Sequence, residues 1–281
     1  MAARSRPSPH RNDNQPGGAR RPAGWPLRRN LAIAIAALLV LGAAGYVTYA
    51  VVRIADAAPL TSSPNPADRI LTYNGAAVPF RALNLYLVRD RSTVLSEYQN
   101  RGVDIQDPSF WQTPVAGKTP AQQLVDSART DVVQLQAQLD VIREAGIAGP
   151  TSYDEIVRAW QVENHRRAAA VLQGTPIYGP KQYSEPDYLD YLLGNLGQEA
   201  QRALTTAGKI DESDAGAMRY FNAHRADFSG DFTSVRDQAV RRYAEYQYQG
   251  LIDAVAQHAV VKESAAYRDL YRTQCVAQGS C

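Results

Sequence analysis

The side chains that could do chemistry are few and scattered. The histidines stand at positions 10, 165, 224 and 258, and none has a partner at metal-ligand spacing. No HExxH, GxSxG, glycine-rich phosphate loop or paired-aspartate motif occurs. The sequence therefore offers no catalytic, cofactor-binding or metal-ligating set, although a site assembled from distant residues needs no motif. The most polar helical stretch is Glu163-Asn164-His165-Arg166-Arg167. General acid/base work is conceivable there. However, Glu163 and Arg167 stand four apart in the order that favours an ion pair along a helix, so the structural reading is preferred. Tyrosine is the other unusual feature, with 16 in the chain against 5 phenylalanines. A tyrosine joins a large contact area to a hydrogen-bonding tip, which suits surfaces that meet varied polypeptides as well as wet helix seams. Tyr183, Tyr188 and Tyr191 are the candidate contact patch.

Charge places these residues in a compartment. The total is only +2, but residues 1–29 hold seven arginines and one acid, a formal +6, which leaves −4 for the remainder. A mildly acidic body argues against nucleic acid, whose binders carry a basic stripe on the folded part. Asn30 to Val52 is 23 residues without a charge. As a helix it would be about 34 Å long, a little more than a bilayer's hydrocarbon core. Tyr46 and Tyr49 near one end suit a membrane interface, and Arg28-Arg29 at the other puts the N-terminus in the cytoplasm by the positive-inside rule. Ala55-Asp56-Ala57 has the shape of a signal-peptidase site, but the apolar run is longer than a signal's, which favours an uncleaved anchor. No cysteine stands directly after the run, which excludes a lipoprotein. The expected organisation is a basic cytoplasmic tail (1–29), a transmembrane anchor (30–52), a Pro- and Ser-rich linker (53–68), an extracellular helical domain (69–262) and a C-terminal tail (263–281).

Only Cys275 and Cys281 are present, too few for a zinc ribbon or an iron–sulfur cluster. Outside the membrane a pair is normally oxidised, and five intervening residues including Gly279 let the chain turn back. A structural Cys275–Cys281 disulfide is expected.

The domain itself reads as mainly α. Arg69 to Gly75 resembles a short strand with an Asn-Gly turn, and residues 259–262 a second strand that pairs with it, a two-stranded closure of the domain's ends. A first helix covers about 79–100, with Leu83, Leu85, Leu87, Val88, Val94, Leu95 and Tyr98 as its apolar set. A second starts at Thr119-Pro120 and carries Leu124, Ala128, Val132, Leu135, Leu139 and Ile142 at spacings of three and four before Gly146. Ser152-Tyr-Asp-Glu155 is a capping box for a third helix, Ser184 caps a fourth, Asp211 a short fifth, and a sixth spans about 232–258.

Read in order, these stretches resemble the chaperone module of the SurA/PrsA-type extracytoplasmic foldases, a peptidyl-prolyl isomerase family. The matching segments are Leu71-Thr-Tyr-Asn-Gly-Ala-Ala-Val-Pro79, Glu144-Ala-Gly-Ile147, Ser152-Tyr-Asp-Glu155, Glu163-Asn-His-Arg166, Arg219 through Phe228, Phe232-Thr-Ser-Val-Arg-Asp237 and Val260-Val261. The resemblance implies a helical SurA-N/trigger-factor-like fold and ATP-independent binding of unfolded secreted proteins. In catalytic members a parvulin domain is inserted between the "Y-F … D-F" helix and the "F-x-x-V-R" helix. Here only Ser229, Gly230 and Asp231 separate Phe228 from Phe232, which leaves no room for it. The expected function is a membrane-anchored chaperone whose partners are unfolded polypeptides, with no cofactor and membrane lipid touched through one helix. The alternatives are an accessory subunit with one fixed protein partner, or an isomerase acting through an unrecognised site.

Overall fold

The computed structural model describes residues 62–273 and Val276. The basic tail, the apolar run 30–52, the linker up to residue 61 and both cysteines lie outside the described residues, and with them the expected anchor and disulfide. Among the described residues no helix is long and apolar enough to cross a membrane.

The ordered chain opens with β1 (Arg69–Tyr73) and β2 (Ala76–Pro79), joined at Asn74-Gly75. Both turn residues have positive φ, 50° and 86°, as the tightest antiparallel hairpin demands, and Tyr73 faces Ala76 directly across it. β3 (Val261–Glu263) returns antiparallel on the other side of β1, with Thr72 opposite Lys262. The sheet order is β2-β1-β3. The closure of the domain's two ends is therefore present, but with three strands rather than two. Ala76-Ala77-Val78-Pro79 is too short to show alternation, and the Asn-Gly turn forces it back on β1. Pro79, which cannot donate a ladder hydrogen bond, sits where it does least harm, at the end of an edge strand. Asn74 completes the clasp. Its amide donates to the Val260 carbonyl, and its side-chain oxygen accepts from Val260 N–H, each at 2.9 Å.

Helix α1 (Phe80–Asn100) leaves the sheet, and α2 (Pro120–Glu144) packs along it. α2 starts with a complete capping box: Gln122 N–H donates to Thr119 Oγ1 at 3.1 Å, and Thr119 N–H to Gln122 Oε1 at 2.9 Å. Every residue of its three-and-four seam, Leu124 through Ile142, is buried. On α1 the expected apolar set is buried except Leu95, partly covered, and Val88, which faces solvent. Between them Phe110 and Trp111 seal one end, Phe110 meeting Tyr98 edge-on with ring centres 5.6 Å apart.

Three more long helices build the domain: α3 (Tyr153–Leu172) packs on β2 and on α4 (Glu185–Thr206), while α4 and, after α5 (Asp214–Ala223), α6 (Phe232–His258) pack on α2. A short α7 (Ala265–Arg268) brings Tyr267 and Leu270 into the main core. The cap of α5 is Ser213, whose hydroxyl accepts from Gly216 N–H at 3.1 Å. Asp211, expected in that role, instead accepts from Ser213 N–H at 2.8 Å and so orients the cap. α5 and α6 pack on each other through Ala217, Phe221, Phe228 and Ala239. The three residues between Phe228 and Phe232 form the turn of this unit, so nothing is inserted there.

Candidate functional site

α3 joins the core by its first turns only. Tyr153 and Ile156 are buried, and the Tyr153 hydroxyl donates to Glu185 Oε1 at 2.6 Å. Glu185 is gripped at the same time by Arg81, with nitrogen–oxygen distances of 2.8 and 2.7 Å. This fork-to-fork pair draws α1, α3 and the start of α4 together. Burial first, and then the bond to Glu185, pushes the Tyr153 phenol far above its ordinary pKa.

Beyond that anchor, the inner stripe of α3 is polar. Trp160, Asn164 and Arg167 stand at spacings of four and three, on one helix face, and together hold the loop of residues 173–184. The Trp160 indole and the Asn164 amide both donate to the Tyr183 carbonyl at 2.9 Å. Tyr183 N–H donates back to Asn164 Oδ1 at 2.9 Å. Arg167 goes furthest. Its side chain is only 5% exposed, and Nε donates to Glu163 Oε1 at 2.8 Å. Nη1 donates to the carbonyls of Tyr178 (2.9 Å) and Pro180 (2.6 Å), and Nη2 to Tyr183 Oη (3.2 Å). The guanidinium also lies 4.3 Å from the Tyr183 ring centre. Glu163 is held below the usual carboxylate range, by its bonds from Arg166 first and by Arg167 as well. The Glu163–Arg167 pair is therefore structural. It is also the buried post to which a loop is tied, which the helical spacing alone does not reveal.

The expected tyrosine patch sits against this post. Tyr183 and Tyr188 are buried, and Tyr191 is about half exposed. The three rings form one cluster, Tyr183 and Tyr191 stacked at 5.2 Å and Tyr188 at 5.9 and 6.2 Å from the other two. Two of the three thus support the loop from within, and only Tyr191 offers substantial surface.

What the loop creates is a groove. Its walls are one side of α3 (Trp160, Gln161, Asn164, His165, Ala168, Val171 and Leu172) and the loop residues Lys181 and Gln182, enclosing about 650 Å³. Within this lining Leu172 is 88% exposed, and Val171 is also open to solvent. Apolar side chains left uncovered in a concave wall make this the candidate binding surface. Sequence reasoning names Trp160 and Ala168 only as apolar positions of this helix and does not mark Val171, Leu172, Lys181 or Gln182 at all. The available signal is the apolar pair Val171-Leu172 at the end of a helix, just before Gly174.

The remaining sites are quieter. His165 lines the groove. His224 stacks on Tyr220 with ring centres 4.2 Å apart, and His258 Nδ1 lies 2.7 Å from the Ala254 carbonyl. Among the described residues no three His, Cys, Asp or Glu side chains converge as metal ligands do. Asp90 on α1 meets Asp131 on α2, and burial first and then that neighbour raise its carboxyl to about 7. Comparison of the chain with protein-family models, curated proteins and solved structures finds no match.

Proposed function

We propose that this protein is a membrane-anchored, extracytoplasmic chaperone that holds unfolded polypeptides without ATP. The observation that carries the reading is the α3 groove: Val171 and Leu172 stay exposed in a wall that a buried arginine holds in place. Such a surface binds apolar segments of an unfolded chain and competes with their aggregation, a task that needs no cofactor. The resemblance to SurA/PrsA-type modules, the arginine-flanked apolar run at 30–52 and the mildly acidic outer part favour the same reading. In it, the N-terminal tail is cytoplasmic, one helix spans the cell membrane, and the domain works outside. The direct passage from Phe228 to Phe232 favours a scaffold without isomerase activity.

The test uses the full chain in detergent. It should slow aggregation of an unfolded model client at stoichiometric amounts and leave cis–trans exchange of X-Pro peptides at the uncatalysed rate. Isomerisation well above background would point to an active site elsewhere in the chain. No effect on aggregation would favour the rival reading, an accessory subunit whose groove takes one fixed partner.

A further inference from the structure

α4 and α6 both rest on α2, and they leave a cleft of about 540 Å³ between them. It lies in the half of the domain where Val141, Ile142, Ala200, Leu204 and Ile252 pack together, away from the apolar groove. Its lining is of a different kind. Gln138 rises from the floor, Gln198 and Gln201 from α4, and Tyr248 and Gln249 from α6. Gly194 and Gly197 leave the α4 wall without side chains.

The Tyr248 hydroxyl is the telling group. It is buried without a hydrogen-bond partner, on a residue only 8% exposed. Burial raises its pKa, and the neighbouring Gln138 amide works against that rise without forming a bond of normal geometry. A Cβ on Gly197 would come within 3.5 Å of this hydroxyl and 3.6 Å of the Gln138 nitrogen, so phenol, amide and bare backbone meet at one point. A ligand acceptor placed there would supply the partner that this hydroxyl lacks.

We infer that this cleft binds an extended peptide through its backbone, with the Gln138, Gln198 and Gln201 amides and the Tyr248 hydroxyl as the matching groups, Gln249 being engaged with Asp253. A carboxamide presents one acceptor and two donors, the complement of a peptide bond whatever its side chain. Arg241 and Glu245 also border the cleft and carry opposite charges, so neither an acidic nor a basic chain is selected. From Gly194 to Gln201 the wall is about 10 Å long at 1.5 Å per helical residue, which accommodates about three extended residues. The inference does not rest on the holdase reading: a peptide-backbone site is equally compatible with a fixed partner.

The test is fluorescence anisotropy on the full chain in detergent with a labelled, N-acetylated ten-residue Ser-Ala peptide, which has no large side chain for the apolar groove. Wild type should bind it. N-methylation of alternate peptide nitrogens, which removes donors without changing the side chains, should weaken binding about tenfold or more. Gly197→Leu should abolish it. Tyr248→Phe, which deletes one oxygen and keeps the packing, should weaken it roughly fivefold, the scale of one hydrogen bond, with an unchanged helical circular dichroism spectrum. Leu172→Glu, in the other groove, separates the two sites. If it removes binding while Tyr248→Phe does not, the peptide sits in the α3 groove and the cleft proposal falls. Equal binding of the N-methylated peptide, or none by wild type, also overturns it. Peptide binding by a wild-type protein that does not slow client aggregation would instead sink only the holdase reading.

Discussion

The α1–α2 pair and the α3 arm are built from the same kinds of amphipathic helix, yet they end up doing opposite things with their apolar side chains. α2 buries its whole three-and-four seam against α1, α4 and α6. α3 buries two apolar residues at its start, fills the rest of its inner face with Trp160, Asn164 and Arg167, and leaves Val162, Val171 and Leu172 outside. The lesson is that fixing a helix does not require an apolar stripe. A buried guanidinium with four oxygen partners holds α3 and its loop together, and so frees apolar surface for another use.

That contrast can be broken most forcefully in the core. Leu139→Ala, at a side chain only 2% exposed, should cost about 2–5 kcal/mol of global stability, the range for emptying a buried leucine site. Denaturant unfolding of the full chain reads it directly. A loss below about 1 kcal/mol would mean that α2 is not the axis of the fold.

Arg167→Ala is the matching cut in the arm. It removes charged hydrogen bonds to Glu163, Tyr178, Pro180 and Tyr183, with an expected cost of about 2–3 kcal/mol. The loss should be local. Limited proteolysis is expected to cut within 173–184 while the α1–α2 pair stays protected from hydrogen exchange. Uniform loss of protection would place Arg167 in the global core and erase the distinction drawn here.

Much of this contrast is legible in the amino-acid sequence, and the reasons for the rest are specific. The seam of α2 and its cap can be read because capping and burial there are local and periodic. The second hairpin strand cannot, since four residues ending in proline show no alternation. The Glu163–Arg167 pair follows from spacing, but its burial depends on a loop eleven to sixteen residues further on. Tyr183 and Tyr188 look like contact residues until their rings are seen to pack on each other. The glutamine cleft is assembled from α2, α4 and α6, so no window of sequence contains it.

A gentler probe sharpens the contrast within the core itself. Asp90 Oδ2 is buried without a donor beside Asp131, with Arg89 as the nearby counter-charge. Burial first, and then Asp131, raise the Asp90 carboxyl from its ordinary 3.8 to about 7. Between those values the folded protein holds a proton that the unfolded chain releases, so the contribution to stability is full below about pH 4 and is lost as pH rises through 7. Asp90→Asn keeps the shape and removes the charge. It should flatten the decline of thermal midpoint between pH 4 and 7 and raise the midpoint at neutral pH. An unaltered profile would show that the two carboxyls do not share a proton.

The smallest effect on stability is expected where function is proposed. Leu172 is almost fully exposed, so Leu172→Glu should change the unfolding free energy by no more than about 0.5 kcal/mol. The groove itself loses an apolar wall and gains a charge.

The most direct measurement is therefore the aggregation of an unfolded client in the presence of the full chain, wild type beside Val171→Glu/Leu172→Glu, with the thermal midpoint of each protein taken from the same preparation. If the exposed face of α3 holds unfolded chains, wild type delays aggregation and the double variant does not, at equal midpoints. Equal delay by both proteins would contradict the assignment of client binding to this groove.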